Sequence, residues 1–191
     1  MSRFLAVLAA GLLCSGAAAA QSRVPAPAPA PANSPAGKIA FPATVGDARL
    51  ERTTTQPGQG QTYFYATPKR LLIVAQVFTG NGHVPSGSDN PAVVSQFAFE
   101  LDEVEQQAKQ SGFGQFERPA VASTCRYGSV SFRCSTYSAA IQGNARLYSK
   151  LLLTGFRDSF VKIHVEWVPI RQQTAADAEA ALQAFVPAVM R

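Results

Sequence analysis

The segment Arg70 to Thr79, RLLIVAQVFT, constrains the fold most, because it is apolar on both faces of an extended chain. Alternate side chains of a strand point to opposite sides, and here Leu, Ile, Val, Ala and Phe dominate both alternating sets. Such a strand predicts a position inside a sheet that is covered on both sides. We therefore expect a layered structure with further strands on either side of this one.

The first twenty residues are typical of a secretory leader. Arg3 gives a positive start, the apolar run Phe4 to Leu13 is shorter than the ~20 residues that span a bilayer, and Ala18 to Ala20 form a small-residue cleavage site. We therefore predict a bacterial signal peptide over residues 1–20 and a periplasmic or secreted protein. An uncleaved anchor is the alternative. Cys14 follows a leucine, which is a poor match to a lipidation motif.

Residues 21–37, QSRVPAPAPAPANSPAG, alternate Pro and Ala and contain almost no large apolar side chain. A segment of this kind cannot bury enough surface to form a core, so we predict an extended, polyproline-like spacer or a leader without a role of its own. The remaining residues, 38–191, are predicted to form a single domain. A chain of 191 residues with 47% hydrophobic content suffices for one core but hardly for two.

The domain is predicted to be an α+β fold with a mostly antiparallel sheet of about seven strands and two main helices, in the order β-β-β-α-β-β-β-β-α. The strands are predicted at Ala48 to Thr55, Thr62 to Thr67, Arg70 to Thr79, Gln115 to Tyr127, Val130 to Gln142, Ala145 to Thr154 and Ser159 to Val168. The first helix begins after the cap Asn90 and ends at Ser111-Gly112. The second begins after the cap Thr174, and Pro187 should kink or end it.

Cys125 and Cys134 predict one structural disulfide in an exported chain. A directly opposed pair requires a four-residue loop, Gly128 to Ser131. A two-residue turn at Gly128-Ser129 makes the cysteines diagonal neighbours instead, which we expect to be too far apart to bond without a bulge. A redox-active pair is the alternative, although such pairs usually occur as Cys-x-x-Cys at a helix start.

Motifs for catalysis or cofactor binding are incomplete in this sequence. Gly80-Asn81-Gly82 begins like a phosphate-binding loop, but Pro85 stands where the third glycine belongs and Asp89 would repel an anion. Ser159 and Lys162 match S-x-x-K, yet residues three apart on a strand point to opposite faces. Two histidines and scattered carboxylates do not make up a zinc site. No catalytic residue, cofactor or metal is therefore predicted.

The candidate binding residues lie in the polar loop Gly80 to Asn90 and on the basic strands that follow the first helix. Arg126 opposite Arg133 should repel unless an anion lies near. His164 alternates with other polar residues along its strand, so a solvated polar face is its simplest interpretation. The candidates are His83, Asp89, Arg126, Arg133, Lys150, Arg157, Lys162, His164 and Glu166.

Two stretches, FPATVGDARL and LLLTGFRDSFVKIHVEW, are similar to exported proteobacterial proteins of unassigned function. The order of elements resembles the Mog1/PsbP-like α/β/α sandwich over about Phe41 to Val186. Known members of the PsbP-like group are mostly binding or assembly factors, so the resemblance implies a binding role and no particular catalytic residue.

These patterns favour a non-catalytic periplasmic binding or accessory protein of the cell envelope. The expected partner is an envelope component or a protein, and the basic strands favour an anionic one; nucleic acid is disfavoured by location. The alternative is a periplasmic hydrolase in which His164 and Glu166 converge with His83 or Asp89. A third hypothesis is a lipoprotein-like scaffold attached through Cys14.

Overall fold

A computed structural model describes residues 39–191 except 58–59, 81–82 and 142–144. The predicted signal peptide and the predicted spacer lie outside the described residues. Within that part of the chain there are nine strands, two α-helices and a short 3₁₀ helix at Pro169–Arg171. They are β1 (Thr44–Val45), β2 (Ala48–Gln56), β3 (Gly60–Ala66), β4 (Leu72–Phe78), α1 (Pro91–Gln110), β5 (Gly114–Glu117), β6 (Ser123–Tyr127), β7 (Val130–Ala140), β8 (Arg146–Phe156), β9 (Ser159–Trp167) and α2 (Ala175–Val189).

All nine strands belong to one sheet in which each pairing is antiparallel. The strand order is β1-β2-β3-β4-β9-β8-β7-β5, and β6 pairs with β7 as well. The predicted α+β class is confirmed, although the strand count is nine rather than seven. The segment RLLIVAQVFT lies inside the sheet as β4, between β3 and β9.

The sheet has a helix on each face, and each helix completes its own hydrophobic core. On the α2 face, Ile73, Ala75 and Val77 of β4 are fully buried together with the apolar stripe of α2. On the α1 face, Phe97 and Leu101 pack against side chains of β7, β8 and β9. The α1-face residues Leu72 and Val74 of β4 are only half-buried. The prediction that β4 is buried on both faces is therefore correct for the α2 face, whereas burial on the α1 face is incomplete.

Capping explains where both helices begin. The Asn90 side chain accepts a hydrogen bond from the backbone N–H of Val93, and Pro91 occupies the first turn, where its missing N–H costs nothing. Thr174 and Asp177 form the predicted capping box. Of the two outcomes predicted for Pro187, a kink or an end of the helix, the end is wrong, because α2 continues to Val189. A proline near the last turn removes only one backbone donor there.

Pro119 divides the predicted strand Gln115 to Tyr127 into two short strands. β5 pairs with the end of β7 near Ala140, and β6 pairs with its beginning near Val130. Proline cannot donate to a strand ladder, so pairing with β7 lapses over the connecting residues. The long central strand β7 thus carries two short strands on the same edge.

The Cys125–Cys134 disulfide is present, but in the register that we expected to prevent it. β6 and β7 are joined by a two-residue turn, in which Tyr127 pairs with Val130 and Gly128 has a φ of +59°. The cysteines are consequently diagonal neighbours, yet their Cα atoms are 6.0 Å apart, within the usual range for a disulfide. The right-handed twist of a strand pair explains this, because it brings the residues of one diagonal pair closer together than they would be in a flat sheet.

The described part of the loop Gly80 to Asn90 is fastened to the sheet. Gly87 and Gly155 exchange two backbone hydrogen bonds of 2.9 and 3.2 Å where β7 no longer pairs with β8. Gly155 must be glycine there, since a Cβ atom would lie 2.0 Å from the carbonyl oxygen of Pro85. The Asn90 side chain also donates to the carbonyl oxygens of Pro85 and Gly87. These contacts hold the loop beside the start of α1.

Candidate functional site

The polar side of β9 faces helix α1 rather than solvent. Lys162, His164 and Glu166 are on the α1 face, and the alternate residues Val161, Ile163 and Val165 are buried on the α2 face. The predicted alternation of β9 is therefore confirmed. The interpretation of His164 as a solvated surface residue is wrong, because only 19% of its side chain is exposed.

Lys162 joins this strand to α1 through an ion pair. Its Nζ donates to Glu100 Oε2 over 2.6 Å, and Gln96 Nε2 donates to Glu100 Oε1 over 2.8 Å. Glu100 is a buried carboxylate that lies one helical turn from Gln96. A buried charge of this kind needs a partner and hydrogen bonds, and here it has both.

His164 takes part in a second polar group, nearer the end of β9. Tyr137 Oη and His164 Nε2 are 2.5 Å apart, and Glu166 Oε1 lies 3.7 Å from the same nitrogen. Burial, together with the nearby Lys162 charge, lowers the pKa of His164 to about 3, and burial raises the pKa of Glu166 to about 7. Burial also raises the pKa of Tyr137 well above its usual value. At neutral pH the phenol and the imidazole are therefore both uncharged.

The group of Tyr137, His164 and Glu166 contains a carboxyl group suited to acid–base chemistry but does not include His83. A carboxyl group that titrates near neutrality can give or take a proton. His83, which was expected to converge with it, lies elsewhere: His83 Nδ1 is 2.6 Å from Asp158 Oδ1 at the β8–β9 turn. His164 is six residues beyond Asp158 along the strand, which corresponds to about 20 Å. His83 and His164 therefore do not share one site.

The predicted basic strands are largely neutralised within the chain. Lys150 Nζ lies 2.7 Å from Glu179 Oε2 of α2, and Arg133 lies 3.9 Å from the exposed Asp89. Arg157 Nη2 donates to the carbonyl oxygen of Arg191 over 2.5 Å. These candidate cations are therefore engaged in contacts inside the fold.

The predicted opposition of Arg126 and Arg133 is wrong. Arg126 pairs with Ser131, and Arg133 pairs with Thr124. The two-residue turn shifts the register by one step on each strand relative to the four-residue loop that the opposition needed. Arg126 is exposed and has no acidic partner among the described residues.

The sequence patterns did not reveal a second pair of cations, Arg49 and Arg52 of β2. In a regular strand, residues three apart point to opposite faces. Here the register shifts between Leu50 and Arg52, with Glu51 as the extra residue of a β-bulge. Leu50 packs into the core on the α2 face, so both arginines lie on the α1 face.

We call the surface around this pair the arginine face, and it consists of Arg49, Arg52, Phe64, Leu72 and Val74. The Arg52 guanidinium carbon lies 4.1 Å from the centre of the Phe64 ring. Phe64 pairs with Val74, which in turn pairs with His164. Helix α1 makes its main contacts with β5, β7 and β8, away from these strands. The arginine face is therefore a side of the sheet that α1 does not pack on.

A depression lies at the other end of β4, between α1 and the loop. Its walls include Gly80, His83, Gln96, Phe99 and Phe160, and its volume is about 390 Å³. Phe99 is 55% exposed, although it is a large apolar side chain. Gln96 links this depression to Glu100 through the hydrogen bond described above. Of the predicted loop candidates, His83 lines the depression.

No family model matches the chain. No curated protein matches it either. Within the described residues, no group of three or more His, Cys, Asp or Glu side chains could hold a metal ion. Neither α1 nor α2 has the length and apolar character needed to cross a membrane.

Proposed function

We propose that this chain is a non-catalytic binding or accessory protein of the bacterial cell envelope, and that it acts after export. The predicted signal peptide supports export, and so does the disulfide, because such bonds persist mainly in oxidising compartments. The resemblance to Mog1/PsbP-like proteins implies the same class of function. The proposed partner is an anionic envelope component.

One observation carries this proposal: Arg49 and Arg52 are exposed on the same face, and neither forms an ion pair with a described residue. By contrast, Lys150, Lys162 and Arg146 each lie within 2.8 Å of a carboxylate oxygen. Two guanidinium groups on one face that form no ion pair with a described residue are suited to carboxylate or phosphate oxygens, which they can bind in a bidentate manner. We therefore place the anion-binding function on the arginine face.

The test is binding of the purified exported protein to envelope fractions at low and high salt. We expect binding that is lost when NaCl rises from about 50 mM to about 500 mM, because salt screens exposed charges. Arg49→Glu/Arg52→Glu should weaken binding by about tenfold or more. Arg70→Glu/Arg171→Glu is the matched control, since it makes the same change of net charge at two exposed arginines elsewhere.

The control should bind like the wild type. Equal binding by wild type and Arg49→Glu/Arg52→Glu would exclude the arginine face as the site. Weakening by Arg126→Glu alone would instead move the site to the β6–β7 hairpin, which carries Arg126.

A periplasmic hydrolase is the second candidate, and the raised pKa of Glu166 favours it. In this version Glu166 acts as general acid or base beside the neutral His164. Glu166→Gln should then abolish turnover of a generic ester or amide substrate while leaving envelope binding unchanged. Undiminished turnover in Glu166→Gln would exclude this assignment.

A further inference from the structure

We propose that the arginine face binds a single anionic amphiphile, with its acidic head group at Arg49 and Arg52 and its apolar chain on Leu72 and Val74. The inference rests on the proposed function and specifies the kind of ligand that this surface takes.

The head-group end is built by the bulge at Glu51, which brings Arg49 and Arg52 to one face. Arg52 stacks on Phe64 at 4.1 Å, and stacking uses the flat side of the guanidinium. The N–H groups at its edge therefore remain available for an anion, and the stacking fixes where they point. Two such groups can hold one phosphate or carboxylate more firmly than a single flexible cation can.

The apolar end follows from the strand register. Across the sheet, Arg52 is followed by Phe64 and then Val74, while Arg49 is followed by Ala66 and then Leu72. Both rows thus run from a cation to apolar side chains on the same face. Phe64 is buried beneath Arg52, whereas Leu72 and Val74 are half-buried and still expose apolar surface, which we call the floor. This juxtaposition of paired cations and an apolar floor matches an amphiphile better than it matches an inorganic anion.

Polar groups of β9 mark the far limit of the floor. Leu72 pairs with Glu166, and Val74 pairs with His164. Three strand spacings separate β2 from β9, which gives the floor a length of about 14 Å. The floor lies beside helix α1, which stands on the neighbouring strands of the same face. A floor of this limited length suits one extracted molecule better than the flat surface of a bilayer.

The experiment measures the affinity of the full exported protein for three probes by calorimetric titration below their micelle concentrations. Dodecyl phosphate carries both parts of the proposed ligand, dodecyl maltoside has the same chain with a neutral head, and inorganic phosphate has the head alone. We expect dodecyl phosphate to bind at least about tenfold more tightly than either of the others. Equal affinity for dodecyl phosphate and inorganic phosphate would overturn the proposal.

Two variants separate the parts of the site. Arg49→Glu/Arg52→Glu should remove the advantage of dodecyl phosphate over dodecyl maltoside. Val74→Thr, which keeps the side-chain shape, should weaken dodecyl phosphate by about threefold or more without changing inorganic phosphate. Val94→Thr is the matched control, because Val94 is an exposed valine on α1, and it should bind like the wild type. Equal weakening by Val74→Thr and Val94→Thr would overturn the assignment of the floor.

Vesicles of anionic and neutral phospholipid complete the test. Binding to anionic vesicles without binding to monomeric dodecyl phosphate would overturn the single-molecule proposal in favour of a membrane surface. If salt-sensitive binding to envelope fractions persists while dodecyl phosphate shows no preference, the ligand class is wrong and the proposed function survives. Loss of binding to envelope fractions altogether would contradict the proposed function itself.

Discussion

Lys162 Nζ on β9 lies 2.6 Å from Glu100 Oε2 on α1, so the helix is joined to the sheet by a largely buried ion pair. Glu100 exposes 8% of its side chain and Lys162 exposes 21%. Removing one partner of such a pair leaves the other charge without its main compensation, whereas replacing both with apolar groups can be neutral.

Glu100→Ala should therefore destabilise the fold by about 3 kcal/mol. The double variant Glu100→Leu/Lys162→Met should recover most of that loss. Urea denaturation followed by circular dichroism measures both free energies of unfolding. A Glu100→Ala protein as stable as the wild type would show that the pair does not hold the helix.

The opposite pKa shifts of Glu166 and His164 predict an unusual dependence of stability on pH. The pKa of Glu166 is raised to about 7 in the folded state. Its contribution to the free energy of unfolding is therefore complete below about pH 4.5 and is lost as the pH rises through 7. The pKa of His164 is lowered to about 3, so the folded state binds fewer protons and stability is lost as pH falls below about 6.5. Each contribution is on the order of 3 to 5 kcal/mol.

Between about pH 4.5 and 6.5 the two contributions oppose each other, so the stability of the wild type should change little because of them. Glu166→Gln removes one of the two, and its stability should rise with pH over that window. His164→Gln removes the other, and its stability should fall. Denaturation midpoints at several pH values give the slopes; identical slopes in all three proteins would rule out the pKa shifts of both groups.

The disulfide should stabilise the fold by about 2 to 3 kcal/mol, because it closes a short loop in the unfolded chain. Cys125→Ser/Cys134→Ser should lower the denaturation midpoint accordingly, and a reducing agent should shift the wild type to the same value. Alkylation followed by mass spectrometry checks the bond directly. Two freely labelled thiols in the exported protein would contradict it.

Gly155→Ala should loosen the loop that precedes α1. The added Cβ would meet the Pro85 carbonyl oxygen at 2.0 Å, so the two backbone segments must separate. We expect a loss of stability above about 1 kcal/mol and faster amide exchange at Gly87. Gly114→Ala is the control, since its Cβ would lie an ordinary 3.9 Å from the Ala140 side chain. Equal stability of the two variants would show that the contact is dispensable.

Local patterns predicted the elements well. The alternation of Val161, Ile163 and Val165 identified the buried side of β9, and the cap Asn90 identified the start of α1. These signals act over a few residues, so they can be read without knowing what packs on them.

The contents of the site were harder to predict, because alternation shows which residues share a face and does not show what covers that face. His164 looked solvated, but it is largely buried beside Tyr137 and Glu166. The Arg49 and Arg52 pair depends on the β-bulge at Glu51. The only sequence signal of that bulge is that the charged Glu51 follows the apolar Leu50. The disulfide register depends on twist, which no spacing rule contains.

Because of the bulge at Glu51, the face on which Arg49 and Arg52 lie does not depend on whether one or two residues stand between them. Deleting Glu51 would leave Arg49 and Arg52 on a common side, because they would then be two residues apart in a regular strand. The chain can thus lose one residue at this point of β2 and still present the same two charges. The local curvature of the sheet can therefore change there while both arginines stay on the same face.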